Sequence, residues 1–124
     1  MSVRFFRCNR CGQIITIVKD TNLPVTCCMA EMEELVACSV DADREKHVPC
    51  TVVVNGRVEV RIGVMPHPSV KEHFIEWIAI ETTEGVTIKH LKAGDEPVAY
   101  FMLDEGEELV HAYAYCNQHG LWMK

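Results

Sequence analysis

The amino-acid sequence predicts an all-β chain: a small metal-stapled unit over residues 1–36, a linker over 37–46, and a β-sandwich over 47–124. Three observations predict it. Short runs rich in β-branched and aromatic residues recur between turn residues, and no amphipathic helix longer than a turn or two interrupts them. Four of the seven cysteines fall within the first 28 residues. Val58, Val60, Ile62 and Val64 alternate with Arg57, Glu59, Arg61 and Gly63, the period of a strand with one buried and one wet face.

In chain order, Gln13 to Val18 and Leu23 to Thr26 read as strands separated by a polar turn at Lys19-Asp20-Thr21-Asn22. Such a hairpin has almost no core, and a unit this small rarely folds without disulfides or a metal. From Val36 to Lys46 the chain turns acidic and polar, which marks the linker. Thr51 to Val54 and Arg57 to Val64 flank Asn55-Gly56, the strongest short hairpin signal. Phe74 to Ile80 is a nearly continuous apolar run, interrupted by Glu76, as expected of a strand buried on both sides. Val86 to Leu91, Val98 to Leu103 and Glu108 to Cys116 add further strands between turns at Glu84-Gly85, Gly94-Asp95 and Glu105-Gly106. This spacing favours a sandwich.

Composition narrows the function. With 12 Lys+Arg against 18 Asp+Glu, the net charge of -6 opposes binding to nucleic acid, so an anionic substrate needs local attraction. No apolar run is long enough to span a membrane and the start lacks a leader's apolar segment, so a cytoplasmic protein is expected. An odd number of cysteines cannot be fully paired in disulfides, and in a reducing compartment metal ligation is the commoner use.

Two constellations carry chemistry. In the first, Cys8 and Cys11 are a C-x-x-C pair followed by Gly12, and Cys27-Cys28 come fifteen residues later. Four soft thiolates suit zinc or iron. Adjacent cysteines in a strand point to opposite faces, so both reach one metal only through a distorted backbone. A redox or disulfide group is the competing reading. The second set is scattered: His47 after Glu45-Lys46, His67 between Pro66 and Pro68, then His73, and Cys116-x-x-His119 closed by Gly120. Imidazoles with one thiolate suit iron, zinc or copper. His90 and His111 read as solvated or packed, Cys38 and Cys50 as buried thiols or a redox pair, and Trp77 and Trp122 as core aromatics.

Together these motifs, with EKHVP at 45–49, PHPSVKEHFIEWI at 66–78 and YCNQHGLW at 115–122, resemble the desulfoferrodoxin family of two-domain superoxide reductases. The resemblance spans the chain. It implies a desulforedoxin-like four-cysteine domain at 1–36 and a seven-stranded immunoglobulin-like β-sandwich carrying the reaction at 47–124. His47, His67, His73 and His119 would be equatorial ligands of a mononuclear iron, with Cys116 the axial thiolate. Cys8, Cys11, Cys27 and Cys28 would bind a second iron, or zinc. Glu45 matches the carboxylate that occupies the sixth position of the oxidised site, and Lys46 the charge that attracts superoxide. A rubredoxin-like electron donor and a homodimer are also implied. The chain departs from the family pattern where a glycine usually follows the paired cysteines: Met29 stands there. From a different class, a non-catalytic iron-binding electron carrier would keep the second site closed. A zinc-stapled interaction module would leave the second ligand set without purpose.

Overall fold

The computed structural model describes residues 2–39, 47–63 and 67–124, and forms two compact units, Met1–Val36 and Ala37–Lys124. All regular elements among the described residues are strands.

In the first unit, β1 (Phe5–Arg7) lies between β2 (Ile14–Thr16) and β5 (Glu33–Glu34), while β3 (Thr26–Cys27) pairs with β4 (Ala30–Glu31). The partnering differs from the sequence expectation. Ile14–Thr16 does not pair across the Lys19–Asn22 turn but folds back on Phe5–Arg7, in the register Phe6↔Ile15. The reason is the Cys8-to-Gly12 segment, which is itself the hairpin connection: the Gly12 amide donates to the Cys8 carbonyl at 2.8 Å, and Gly12 takes a φ of 83° open to glycine. Phe6, Cys8 and Met32 make up the buried core, with Ile15, Ile17, Val25 and Cys27 against it. Outside it, Arg4 ties three segments together, meeting Glu34 with two nitrogens at 3.0 and 3.2 Å and Asp20 at 2.6 Å. So small a core cannot offset the chain entropy of ordering the unit without a further constraint.

In the second unit, β6 (Pro49–Val54), β7 (Arg57–Ile62) and β10 (Val98–Met102) make a three-stranded sheet in the order β10-β7-β6. Against it, β8 (Ile75–Thr82), β9 (Gly85–His90), β11 (Leu109–Cys116) and β12 (Gly120–Met123) form a sheet ordered β12-β11-β8-β9. Each pairing between these seven strands is antiparallel. The alternation in β7 is realised: Val58, Val60 and Ile62 are buried against Ile78 and Ile80 of β8, Phe101 of β10, and Ala112 and Ala114 of β11. Both faces of β8 are covered, as its apolar run predicts. Cys38 hydrogen-bonds along β12, receiving from the Met123 amide at 2.8 Å and donating to the Leu121 carbonyl at 3.0 Å. The structure corrects one expectation about the remaining thiols, since Cys38 and Cys50 are both free and exposed rather than buried.

Candidate metal centres

Three separate stretches of the second unit bring the scattered set together. His47 lies two residues before β6, His67 and His73 lie in the connection from β7 to β8, and Cys116 and His119 bracket the turn from β11 to β12. Side chains of that turn fasten the middle stretch: Asn117 Nδ2 and Gln118 Nε2 donate to the Glu72 carbonyl at 3.2 and 2.6 Å, and the Phe74 amide donates to Asn117 Oδ1 at 3.0 Å. Sequence reading missed the role of Asn117 and Gln118, although both stand inside the motif it singled out. His73 is held by paired backbone bonds with Val70 at 3.0 and 3.1 Å.

The four imidazoles stand at the corners of a near-square. Neighbouring ring centroids are 4.8 Å (His47–His67), 4.7 Å (His67–His73), 5.0 Å (His73–His119) and 4.8 Å (His119–His47) apart. Across the diagonal, His47 and His73 are 6.4 Å apart. Ligand atoms of His47, His67, His73 and Cys116 all lie within 4.8 Å of one another. His119, at the exposed edge, turns Nδ1 toward them, 3.1 Å from His47 Nε2 and 3.8 Å from Cys116 Sγ.

Electrostatics suits the group to a cation. His67 is only 3% exposed, and its Nδ1 donates to the Pro68 carbonyl at 2.7 Å, which fixes the tautomer with the Nε2 lone pair directed inward. That Nε2 has no hydrogen-bond partner among the described residues, a costly arrangement unless a ligand takes it. Burial, more than the neighbouring imidazoles, draws the His67 pKa down to about 4, so the ring is neutral at pH 7. Burial raises the Cys116 thiol above its ordinary value, and a cation reverses that preference. An orphaned imidazole nitrogen facing a buried thiol is thus a donor set that fits a metal ion of borderline softness.

In the first unit the sulfurs of Cys8, Cys11, Cys27 and Cys28 lie within 4.8 Å of one another, with Cys11–Cys27 at 3.7 Å and Cys27–Cys28 at 3.9 Å. The adjacency of Cys27 and Cys28 is resolved by the backbone. Cys27 ends β3, and Cys28 leaves the strand with a φ of 53°, followed by Met29 at 63°. Both are central residues of a two-residue hairpin loop, so the alternation of side chains no longer applies. The amides of Cys11 and then Arg10 draw the Cys8 thiol down to about 6, while hydrogen bonding with Cys8 and then Cys11 holds Cys27 up at about 12. Four thiols so close cannot all ionise without a cation among them.

Comparison with known proteins agrees with this architecture. The desulfoferrodoxin family model matches residues 39–124. The chain belongs to the desulfoferrodoxin family. A desulfoferrodoxin homolog of Methanothermobacter thermautotrophicus is 37% identical over 119 residues, covering 96% of this chain and 95% of that protein. The crystal structure of the superoxide reductase from Treponema pallidum superimposes with a TM-score of 0.87 at 27% identity, over 99% of this chain and 98% of that one. A superoxide reductase of Giardia intestinalis, 34% identical, covers 65% of this chain and 96% of its own with a TM-score of 0.57. The chain pairs a desulforedoxin-like cysteine cluster with a superoxide reductase-like β-fold.

Glu45, Lys46 and Pro66 lie outside the described residues. Trp122, expected in the core, is half-buried and packs on His47 instead. No helix among the described residues is long and apolar enough to cross a membrane.

Proposed function

We propose that this chain is a superoxide reductase, which converts superoxide, one electron and two protons into hydrogen peroxide. The observation that carries the reading is the near-square of imidazoles from three chain segments, closed by a buried thiol. His47, His67, His73, His119 and Cys116 would hold iron, which when bound supplies the single electron. The cysteines Cys8, Cys11, Cys27 and Cys28 would hold a second iron, or zinc. Residues 1–36 then serve as the four-cysteine domain, 37–46 as the linker and 47–124 as the reacting domain.

The protein's own groups do the rest. The Pro68 carbonyl holds His67 in the tautomer that offers Nε2, and Cys116, having little access to water, serves as a thiolate only while a cation faces it. Lys46 precedes His47 directly and supplies the positive charge that superoxide needs near a protein of net charge -6. Glu45, two positions before His47 in sequence, would supply a carboxylate that balances the charge gained when the site is oxidised. An external rubredoxin-like donor returns the electron, and the protein works as a cytoplasmic homodimer.

Reconstitution tests the reading. Beyond one superoxide per ferrous ion, iron-loaded protein should consume superoxide only while a reductant is supplied, and the zinc-loaded form, being redox-inert, should be inactive. Equal rates for the two forms would overturn it.

A further inference from the structure

Two of the four imidazole-bearing residues lean on one indole. Trp122 stacks on His47 with ring centroids 4.6 Å apart and planes 17° apart, and its Nε1–H donates to the His119 carbonyl at 3.2 Å. His47 and His119 are 72 positions apart in sequence, yet Trp122 touches both. The other corners have anchors of their own: His67 bonds to the Pro68 carbonyl, and the His73 backbone pairs with Val70. Trp122 is itself held on both sides, by its register with Ala114 on β11 and by the parallel bridge to Cys38. The sheet thus fixes the Trp122 backbone independently of the imidazoles.

We propose that Trp122 is a positioning residue of the five-donor site. Its indole face fixes the plane of the His47 ring, with the N–H a lesser tie to the His119 turn, so that His47 Nε2 and His119 Nδ1 are held 3.1 Å apart before a metal arrives. The proposal rests on reading these side chains as metal ligands. A purely structural role for Trp122 would change stability and leave the electronic environment of the bound metal alone.

Cobalt(II) titrated into the full-length apoprotein tests it, because thiolate-to-cobalt absorption reports both sites and the four-cysteine site is an internal control. Trp122→Met keeps an apolar side chain of adaptable shape but has no ring and no N–H. It should weaken cobalt binding at the five-donor site by about tenfold and shift that site's thiolate band, with the four-cysteine spectrum unchanged. Trp122→Phe restores a ring to stack on His47 and should bind within about threefold of wild type with the band nearly in place. Unchanged affinity and band in Trp122→Met would overturn the proposal, as would Trp122→Phe binding as weakly as Trp122→Met. Should Trp122→Met lose its β-sheet circular dichroism, Trp122→Phe decides alone: near-wild-type binding supports the stack, and a loss of about tenfold or more refutes it. A wild-type chain that binds cobalt only at its four cysteines would fail differently, by overturning the five-donor site and the role of Trp122 with it.

Discussion

The sequence contains two hairpin loops of almost the same backbone and very different residues, and the contrast makes a quantitative prediction. Asn55-Gly56 joins β6 to β7 with φ of 51° and 77°; Cys28-Met29 joins β3 to β4 with φ of 53° and 63°. Positive φ at both central residues favours Asn-Gly, since asparagine tolerates the left-handed region and glycine has no Cβ to clash there. At the first position of the β3–β4 loop, Cys28 brings a sulfur to the four-thiol cluster. The second position has no such duty, for the Met29 side chain is 99% exposed. Met29 therefore carries left-handed strain with no packing in return. Relieving it by Met29→Gly should stabilise the folded unit by about 1 kcal/mol, after allowing for the greater freedom of glycine in the unfolded chain. With metal binding coupled to folding, as proposed for the four cysteines, that gain should appear as affinity, about fivefold tighter binding. Competition for zinc against a chelator measures it. Met29→Asn should fall between glycine and wild type, and Met29→Ala, which keeps the Cβ but loses the thioether, should match wild type. If Met29→Gly held zinc no more tightly than Met29→Ala, the strain argument would be refuted.

Three further outcomes follow from the same reasoning. Replacing Cys8 and Cys11 by Ser should empty the first site and loosen Met1–Val36 while superoxide reduction at the second persists, and loss of that activity with the second iron still bound would show that the first site relays electrons. Tyr113→Phe removes a 3.2 Å hydrogen bond from the buried hydroxyl to the Glu81 carboxylate. It should cost about 1.5–3 kcal/mol and lower the melting temperature by roughly 6–20 °C, read by thermal denaturation, whereas a shift within error would mean the carboxylate is satisfied without it. Lys46→Ala should slow the second-order reaction with superoxide by about tenfold at low salt with iron content unchanged, and stopped-flow rates equal to wild type would remove Lys46 from the mechanism.

What could be read from the sequence and what could not divide along physical lines. The β7 strand was legible because one face is buried and one is wet, which imprints a period of two on Arg57 to Ile62. The strands β1 and β12 escaped notice for opposite reasons. Phe5–Arg7 is a three-residue element that follows one arginine and ends on another, and Gly120–Met123 follows its turn so directly that it reads as the tail of a motif. The Lys19–Asn22 segment looked like a hairpin loop because local composition says nothing about partners, and pairing was decided by the cysteine knuckle upstream. The imidazoles and thiols themselves were legible as residue types at strand ends and in proline-flanked loops. Their anchors were not: Asn117, Gln118 and Trp122 act through long-range contacts, which leave no periodic trace. Glu81 was read as nothing in particular, yet it is 7% exposed beside Tyr113, because only the fold shows which face of β8 is covered.

Product stoichiometry shows what becomes of superoxide. With iron-loaded protein, excess reductant and a dioxygen electrode, each superoxide consumed should yield one hydrogen peroxide and no dioxygen, because the electron comes from outside the substrate. Release of one dioxygen for every two superoxide consumed would mean that superoxide serves as its own reductant, and would make this chain a dismutase instead of a reductase.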